Sequence, residues 1–193
     1  ASNEQVAKLV GHSQNLAAKV LQLANSAYYG FGSAVSSLPQ AIRILGMNEI
    51  RNMVIGIGAA SAFKKSDVPP GFALAQTWTH QVLTASLARE FAVLAKQNVP
   101  SMRGVAPDEL YAAGLLHDLG KIRIASRRQE DGLGIANLAA AESMPIHVAE
   151  DAYWGIDHSV VGARVLFIWQ LPASLTEPVC WHHAPTLADP EHT

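Results

Sequence analysis

The sequence predicts an all-α fold, and two observations carry this prediction. Apolar residues recur three and four positions apart over most of the 193 residues, which is the period of an amphipathic helix. No long segment alternates between apolar and polar residues, and the short apolar pair Val160-Val161 fits helical periodicity better than a strand. Gly, Pro, Ser and Asp residues divide the helical pattern into separate segments. We therefore expect a bundle of several helices.

The first part of the chain carries three predicted helices. Ser13 and Ser37 are suitable N-caps for the first two, because a serine side chain accepts a hydrogen bond from the first turn of a helix. Pro39 lies in a first turn, where its missing N–H does no harm. No helix is indicated ahead of Ser13. The predicted ranges are 15–24, 38–45 and 48–63.

Residues 64–71 contain Val-Pro-Pro-Gly and are the best linker in the chain. Six further helices are expected beyond it, most of them introduced by Gly, Pro or Asp. Their predicted ranges are 74–96, 108–124, 133–142, 145–153, 159–169 and 172–183. We expect one domain part over residues 1–65, a second over 72–186 and a tail over 187–193.

Composition excludes several classes of function. Charged residues make up 16% of the chain and the formal net charge is −2, so bulk electrostatics favours neither nucleic acid nor anionic membrane. No helix carries a basic stripe with interleaved polar residues, which makes a nucleic-acid partner poorly supported. The single cysteine, Cys180, fits a reducing compartment, and no signal peptide or membrane-spanning apolar run is visible. The cytoplasm is the expected location.

Several histidines and one aspartate form an ordered set along the chain. His117 and Asp118 are adjacent within an apolar segment, and a buried aspartate is costly unless it is paired or bound to a cation. Lys121 follows at helical spacing and could neutralise Asp118 or a bound phosphate. Imidazole and carboxylate together are typical metal ligands. A lone histidine such as His80 is by itself more typical of a core residue, and His12, His147 and His192 are expected at the surface. The candidate ligands are His80, His117, Asp118, His158, His182 and His183.

This ordered set resembles the HD superfamily of metal-dependent phosphohydrolases. The amino-terminal motifs resemble, more specifically, the HDOD domain, a bacterial signalling relative of those hydrolases. The matching segments are LAAKVLQLANSAYYG (16–30), SSLPQAIRILG (36–46), GLLHDLGK (114–121), HSVVGA (158–163), WQLP (169–172) and HHAP (182–185). The resemblance implies an HD-like helical core over residues 72–186 behind an amino-terminal helical subdomain.

The resemblance leaves two functions open. HDOD domains are regarded as non-catalytic regulators, which implies a signalling module that binds receiver or second-messenger domains, with the His and Asp residues as a polar core network. The alternative is a metal-dependent phosphohydrolase with one or two divalent ions and Lys121 at a phosphate oxygen. In HD hydrolases a later aspartate completes the site, whereas only Asp189 and Glu191 follow His183 here, in a Pro-flanked tail. The chain is also expected to be a fragment of something longer.

An aromatic segment follows the first predicted helix and is open to two interpretations. Tyr28, Tyr29 and Phe31 fit a packed turn that joins the first helices to the core. They also fit a recognition loop for a partner, because ordered aromatic residues are enriched at interfaces. No membrane partner is expected.

Overall fold

The computed structural model describes residues 3–26, 35–63 and 67–188, and those residues contain helices and no strand. This confirms the all-α prediction. Short 3-10 turns lie at Pro100–Gly104 and Pro185–Leu187. The helices are α1 Asn3–Gly11, α2 Gln14–Ala24, α3 Leu38–Leu45, α4 Met47–Ser61, α5 Leu74–Asn98, α6 Pro107–Leu116, α7 Leu119–Arg127, α8 Gln129–Ala141, α9 Ile146–Trp154, α10 His158–Ile168 and α11 Ala173–Trp181.

The chain divides into two compact units, Ala1–Ala59 and Ala60–Thr193. The first unit has an apolar core to which α1, α2, α3 and the start of α4 contribute. Ser13 and Ser37 cap α2 and α3 as predicted, since their side chains accept hydrogen bonds from the backbone N–H groups of Leu16 and Gln40. The core residues are Ala7, Val10, Val20, Ala24, Val35, Ala41, Ile42, Leu45 and Ile50.

Asn25 fixes the chain at the end of α2. Its side-chain Nδ2 donates to the backbone carbonyl of Val35 at 2.8 Å, and its side-chain Oδ1 accepts from the backbone N–H of Val35 at 2.7 Å. These two bonds hold the start of the next described segment against the end of α2. Asn25, the first residue of the Asn-Ser pair in the amino-terminal motif, therefore has a structural role.

Helix α1 corrects the expectation that no helix precedes Ser13. Ala7 and Val10 are buried on α1, which packs against α2 and α3. The helix has only nine residues. Helices this short are not stable alone in water, so tertiary packing rather than local sequence stabilises this one.

The second unit is built around a close crossing of α5 and α6. A Cβ added to Gly114 would lie 2.8 Å from the Cα of Ala85, which is closer than real Cβ atoms approach. Only glycine therefore allows these two helices to pack at this distance. The crossing brings the C-terminal end of α6 beside the first half of α5, where His80 lies.

The predicted continuous helix over residues 108–124 is wrong, because the structure has two helices there. α6 ends at Leu116 and α7 begins at Leu119, and Asp118 between them has φ −96° and ψ 12°. Gly120 then packs directly on the backbone of α10, where any Cβ would overlap the carbonyl oxygen of His158. Apolar periodicity runs through this break, so it gave no indication of the change in direction.

Candidate metal centre

Asp118 is the middle of the site, and the break between α6 and α7 turns its carboxylate inward. The residue is buried. Its Oδ2 atom lies 2.8 Å from Lys121 Nζ, 3.5 Å from His117 Nε2 and 3.6 Å from His80 Nε2. His80 has a side chain that is 58% exposed, so this side of the carboxylate is open to solvent.

The other oxygen of Asp118 faces the histidines of the later helices. Oδ1 lies 3.1 Å from His158 Nε2 and 3.8 Å from His182 Nε2. His183 Nε2 in turn lies 2.9 Å from His158 Nε2. The structure therefore brings all six candidate ligands into one cluster, although they come from α5, α10 and the ends of α6 and α11. Their role as metal ligands remains a prediction.

Hydrogen bonds to backbone carbonyls determine which ring nitrogen of two histidines is free. His117 Nδ1 lies 2.7 Å from the carbonyl oxygen of Gly114, and His182 Nδ1 lies 2.8 Å from that of Val179. A carbonyl oxygen only accepts, so each Nδ1 carries the proton and each neutral ring has a lone pair on Nε2. Both lone pairs point toward the carboxylate of Asp118.

The Nε2 lone pairs of His117 and His182 and the negative carboxylate of Asp118 repel one another unless a cation lies between them. His182 Nε2 is buried and has no hydrogen-bond partner among the described residues. A buried polar atom without a partner is costly, and a bound cation would satisfy it. The donor set therefore fits a divalent metal with nitrogen and oxygen ligands. Two separate groups of three have ligand atoms close enough to share an ion: His80, His117 and Asp118; and His158, His182 and His183.

Glu150 is a residue of the site that the sequence analysis did not predict. It is buried on α9, and its Oε2 accepts from the backbone N–H of His158 at 2.8 Å and lies 2.5 Å from His158 Nδ1. A carboxylate behind a histidine fixes the ring and its tautomer, as at many metal sites. Along the sequence Glu150 is an acidic residue within the predicted helix 145–153, and no spacing or motif relates it to His158, eight residues later.

His147 corrects the prediction that this residue is a surface histidine without context. Its ring stacks on His183 with centroids 3.9 Å apart and an interplanar angle of 10°. His12 is exposed as expected. The cluster therefore extends beyond the predicted set to a further imidazole on α9.

Burial and neighbouring charges shift the pKa values of this cluster in different directions. Burial alone would raise the pKa of Asp118, but the hydrogen bond from His158 and the charges of His117 and Lys121 hold it well below its ordinary value. Burial lowers the pKa of His117 and His182, and it lowers that of His183 to about 4 together with the neighbouring imidazoles. For His158, burial would lower the pKa, but the bonds to Asp118 and Glu150 outweigh it and raise the pKa. Most of these imidazoles are thus neutral near pH 7, as metal binding requires.

Other predicted features lie outside this cluster. Tyr28, Tyr29 and Phe31 are outside the described residues, as are Asp189, Glu191 and His192. Cys180 is half-buried, and burial raises the pKa of its thiol, which does not favour a nucleophile. Among the described residues, no helix has the length and apolar character needed to cross a membrane.

The fold and the centre together define a class of protein, a helical domain of the HD type with imidazoles from several helices around one aspartate. The chain belongs to the HDOD domain family, because a sequence model of that family matches residues 1–185. The HDOD domain is related to the HD phosphohydrolases.

Two solved structures and one sequence relative show what this chain resembles. An HDOD domain protein with unknown function from Geobacter sulfurreducens is 25% identical with a TM-score of 0.81, covering 97% of this chain and 60% of its own. A protein from Shewanella amazonensis, described provisionally as a phosphohydrolase, is 28% identical with a TM-score of 0.80, covering 98% of this chain and 64% of its own. An uncharacterised protein from Treponema pallidum is 23% identical over 92% of this chain, which spans 33% of that relative. The chain thus spans less than two thirds of each of these proteins.

Proposed function

We propose that this domain is a non-catalytic regulatory module of bacterial signal transduction, which acts by binding other signalling proteins. Its partners are receiver domains or domains that handle nucleotide second messengers. The His and Asp cluster serves as a polar network that fixes the packing of α5, α6, α10 and α11, whether or not it also holds a metal ion.

The number of carboxylates at the centre is the observation that carries this proposal. Among the described residues, Asp118 is the one carboxylate in contact with several imidazoles, and the Lys121 ammonium already lies 2.8 Å from its Oδ2. Glu150 contacts His158 from the side away from Asp118, so it supports a ligand. Two divalent ions would bring four positive charges to a single ligating carboxylate. Hydrolysis by a pair of metal ions is therefore poorly supported by this donor set.

An exposed apolar stripe on α5 supports the binding part of the proposal. Leu83, Leu87, Phe91 and Leu94 are 54–67% exposed. Their spacing of four, four and three residues puts them on one helical face, with Glu90 as the charged residue beside them. Exposed apolar patches of this kind mark surfaces that bind partners. His80 precedes Leu83 by one turn, so a partner on this stripe would reach the open side of the centre.

Hydrolysis is tested first. Purified protein supplied in turn with Mn²⁺, Mg²⁺, Fe²⁺ and Zn²⁺ is assayed against cyclic dinucleotides and bis(p-nitrophenyl) phosphate, with Asp118→Ala as the control. We expect no turnover above that of the variant. Metal-dependent turnover that Asp118→Ala abolishes would contradict the non-catalytic proposal.

Partner binding is tested separately, by two-hybrid pairing of the full-length protein with receiver and second-messenger domains from the same genome. Leu87→Glu and Phe91→Glu should abolish a pairing, because each places a charge in the stripe. Asn137→Glu, which adds the same charge to the exposed face of α8, should retain it. If no such domain pairs, or if the α5 variants pair as well as the parent, the interaction proposal fails.

A degenerate metal-dependent phosphohydrolase is the second candidate, favoured by the free Nε2 atoms of His117 and His182 beside Asp118. His80, His117 and Asp118 would hold one ion. His158 with His182 or His183 would hold a second, and Lys121 would bind a phosphate oxygen. A bound ion of this kind lowers the pKa of a coordinated water toward neutrality. The turnover assay above decides between the two candidates, whereas metal content alone does not, because both tolerate a bound metal.

A further inference from the structure

A pocket of about 380 Å³ lies within the second unit, behind the His and Asp cluster. It is bounded by α7, α8, α9, the segment 69–72 and Thr77 of α5. Most of its wall is apolar, and its larger apolar residues are Phe72, Ile124, Leu133, Ile135 and Ile146. Its volume falls in the range of small-molecule sites, about 300–1,000 Å³.

Two charged residues of opposite sign are part of the pocket wall. They are Lys121 and Glu150, which also contact the cluster through Asp118 and His158. Both hydrogen bonds that Glu150 accepts from described residues enter at Oε2, so its Oε1 is left to accept one from a ligand. Glu150 is itself buried, with 4% of its surface exposed. A buried carboxylate oxygen at the wall of an apolar pocket is a strong acceptor.

We propose that this pocket binds a small, neutral, apolar molecule that carries a hydroxyl group, such as an alkylphenol or a medium-chain alcohol. A hydroxyl group can donate to the Glu150 carboxylate and can accept from the Lys121 ammonium. Both charges of the wall are already paired, Lys121 with Asp118 at 2.8 Å and Glu150 with His158 at 2.5 Å, so neither is an unpaired partner for a charged ligand. A ligand carboxylate or ammonium would therefore lose its hydration in an apolar pocket without compensation. The other polar side chains of the wall, Thr77 and Gln129, are uncharged and do not alter this selection.

The volume limits the size of the ligand. A cavity of about 150 Å³ holds benzene, so a pocket of about 380 Å³ accommodates roughly 10 to 15 non-hydrogen atoms. None of the described residues that line this pocket is a histidine. The pocket therefore requires no metal and does not depend on the function proposed for the cluster.

The test uses four compounds that share one apolar body: 4-butylphenol, its methyl ether, 4-butylbenzoate and 4-butylbenzylammonium. Binding to the purified protein is measured by titration calorimetry and by methyl NMR shifts of Ile124, Leu133 and Ile146. We expect 4-butylphenol to bind at those methyl groups and the other three compounds to bind at least fivefold more weakly. Equal binding of the methyl ether or of either charged compound would overturn the proposed ligand class.

A pocket-filling variant tests the location. Gly132 lines the pocket within α8, and a Cβ added there meets nothing within 4 Å, so Gly132→Leu fills space without a clash. Leucine is also the better helix former. Gly132→Leu should weaken 4-butylphenol binding at least tenfold, while Asn137→Leu, on the exposed face of the same helix, should leave it unchanged. Ala136→Phe is a second filling variant in case the first fails to fold. If a folded filling variant binds the phenol as tightly as the parent, the pocket is not the site.

Discussion

The two compact units bury different chemistry. Among the described residues, the buried side chains of Ala1–Ala59 are apolar except for Asn52. The unit Ala60–Thr193 also has an apolar core, but it buries a set of polar and ionisable side chains as well. They are Gln81, Asp118, Glu150, His158 and Ser159.

The physical costs of these two kinds of core differ. Apolar burial contributes about 25 cal/mol per Å² removed from water. Buried carboxylates and imidazoles lose hydration and are tolerated only when they are paired. Buried ionisable groups that perturb one another are enriched at functional sites, so their concentration in one unit marks the part of the molecule where function is expected. The comparison also predicts that the two units will respond differently to substitution, pH and metal.

Removal of the central carboxylate should have the largest effect. Asp118→Ala leaves the Lys121 ammonium and the His158 ring without their shared partner, which should reduce the free energy of unfolding by about 3–5 kcal/mol. All four tryptophans lie at or beyond residue 78, so tryptophan fluorescence during urea unfolding in EDTA reports on the second unit. Glu142→Ala, at an exposed carboxylate, should change stability by less than about 0.5 kcal/mol. A loss below about 1 kcal/mol for Asp118→Ala would mean that the network does not hold the unit together.

A cavity in the first unit should cost somewhat less and should be insensitive to metal. Ile42 is 1% exposed in the apolar core, and Ile42→Ala should reduce the free energy of unfolding by about 2–4 kcal/mol. Circular dichroism during urea unfolding measures this loss, with Leu9→Ala as a control at an exposed position. The loss should be the same with EDTA and with added Zn²⁺. A loss that changes with metal would break the distinction between the two units.

Acid should weaken the second unit before the first, in the presence of a chelator. The pKa values of His117, His182 and His183 are lowered in the folded protein, that of His183 to about 4, so the unfolded chain binds their protons more tightly. Their contribution is present above pH 6.5 and is lost as the pH falls toward 4. The raised pKa of His158 has the opposite sign, because its contribution is present below pH 6.5 and is lost as the pH rises.

Three histidines with lowered pKa values lose their contribution on acidification, and only His158 gains one. The urea midpoint measured by tryptophan fluorescence should therefore be lower at pH 4.5 than at pH 7. His183→Asn should reduce that difference. An unchanged pH dependence in this variant would show that His183 does not contribute in the way its burial indicates.

Replacement of the N-cap residues should have the smallest effect on the free energy of unfolding, and it compares one helix from each unit. Ser37 caps α3 in the first unit, and Asp157 caps α10 through bonds from the N–H groups of Ser159 at 2.9 Å and Val160 at 3.3 Å. Replacement of either by Ala should cost about 1 kcal/mol. Asp157→Ala should also weaken Zn²⁺ binding, by roughly tenfold, because it loosens the turn that orients His158. Equal effects of Ser37→Ala and Asp157→Ala on Zn²⁺ binding would contradict a localised centre.

Local pattern was sufficient for most of the helices and insufficient at two places. The range 38–45 and the two serine caps agree with the structure because spacing, cap and proline all act within one turn. The break at Asp118 was not predicted, since it depends on Gly120 packing against the backbone of α10. Helix α1 was not predicted either, because its stability comes from the helices it packs on.

The amino-acid sequence by itself determined the helical class, most helix positions and the residues that gather around Asp118, because each has a periodic or motif-like signature. Only the tertiary structure decided how those residues meet. In the folded chain the Glu150 carboxylate contacts the His158 ring, and the His147 ring stacks on His183. The Nε2 lone pairs of His117 and His182 face one carboxylate. Such contacts join residues of different helices or depend on side-chain orientation, and neither leaves a spacing that can be read along the chain.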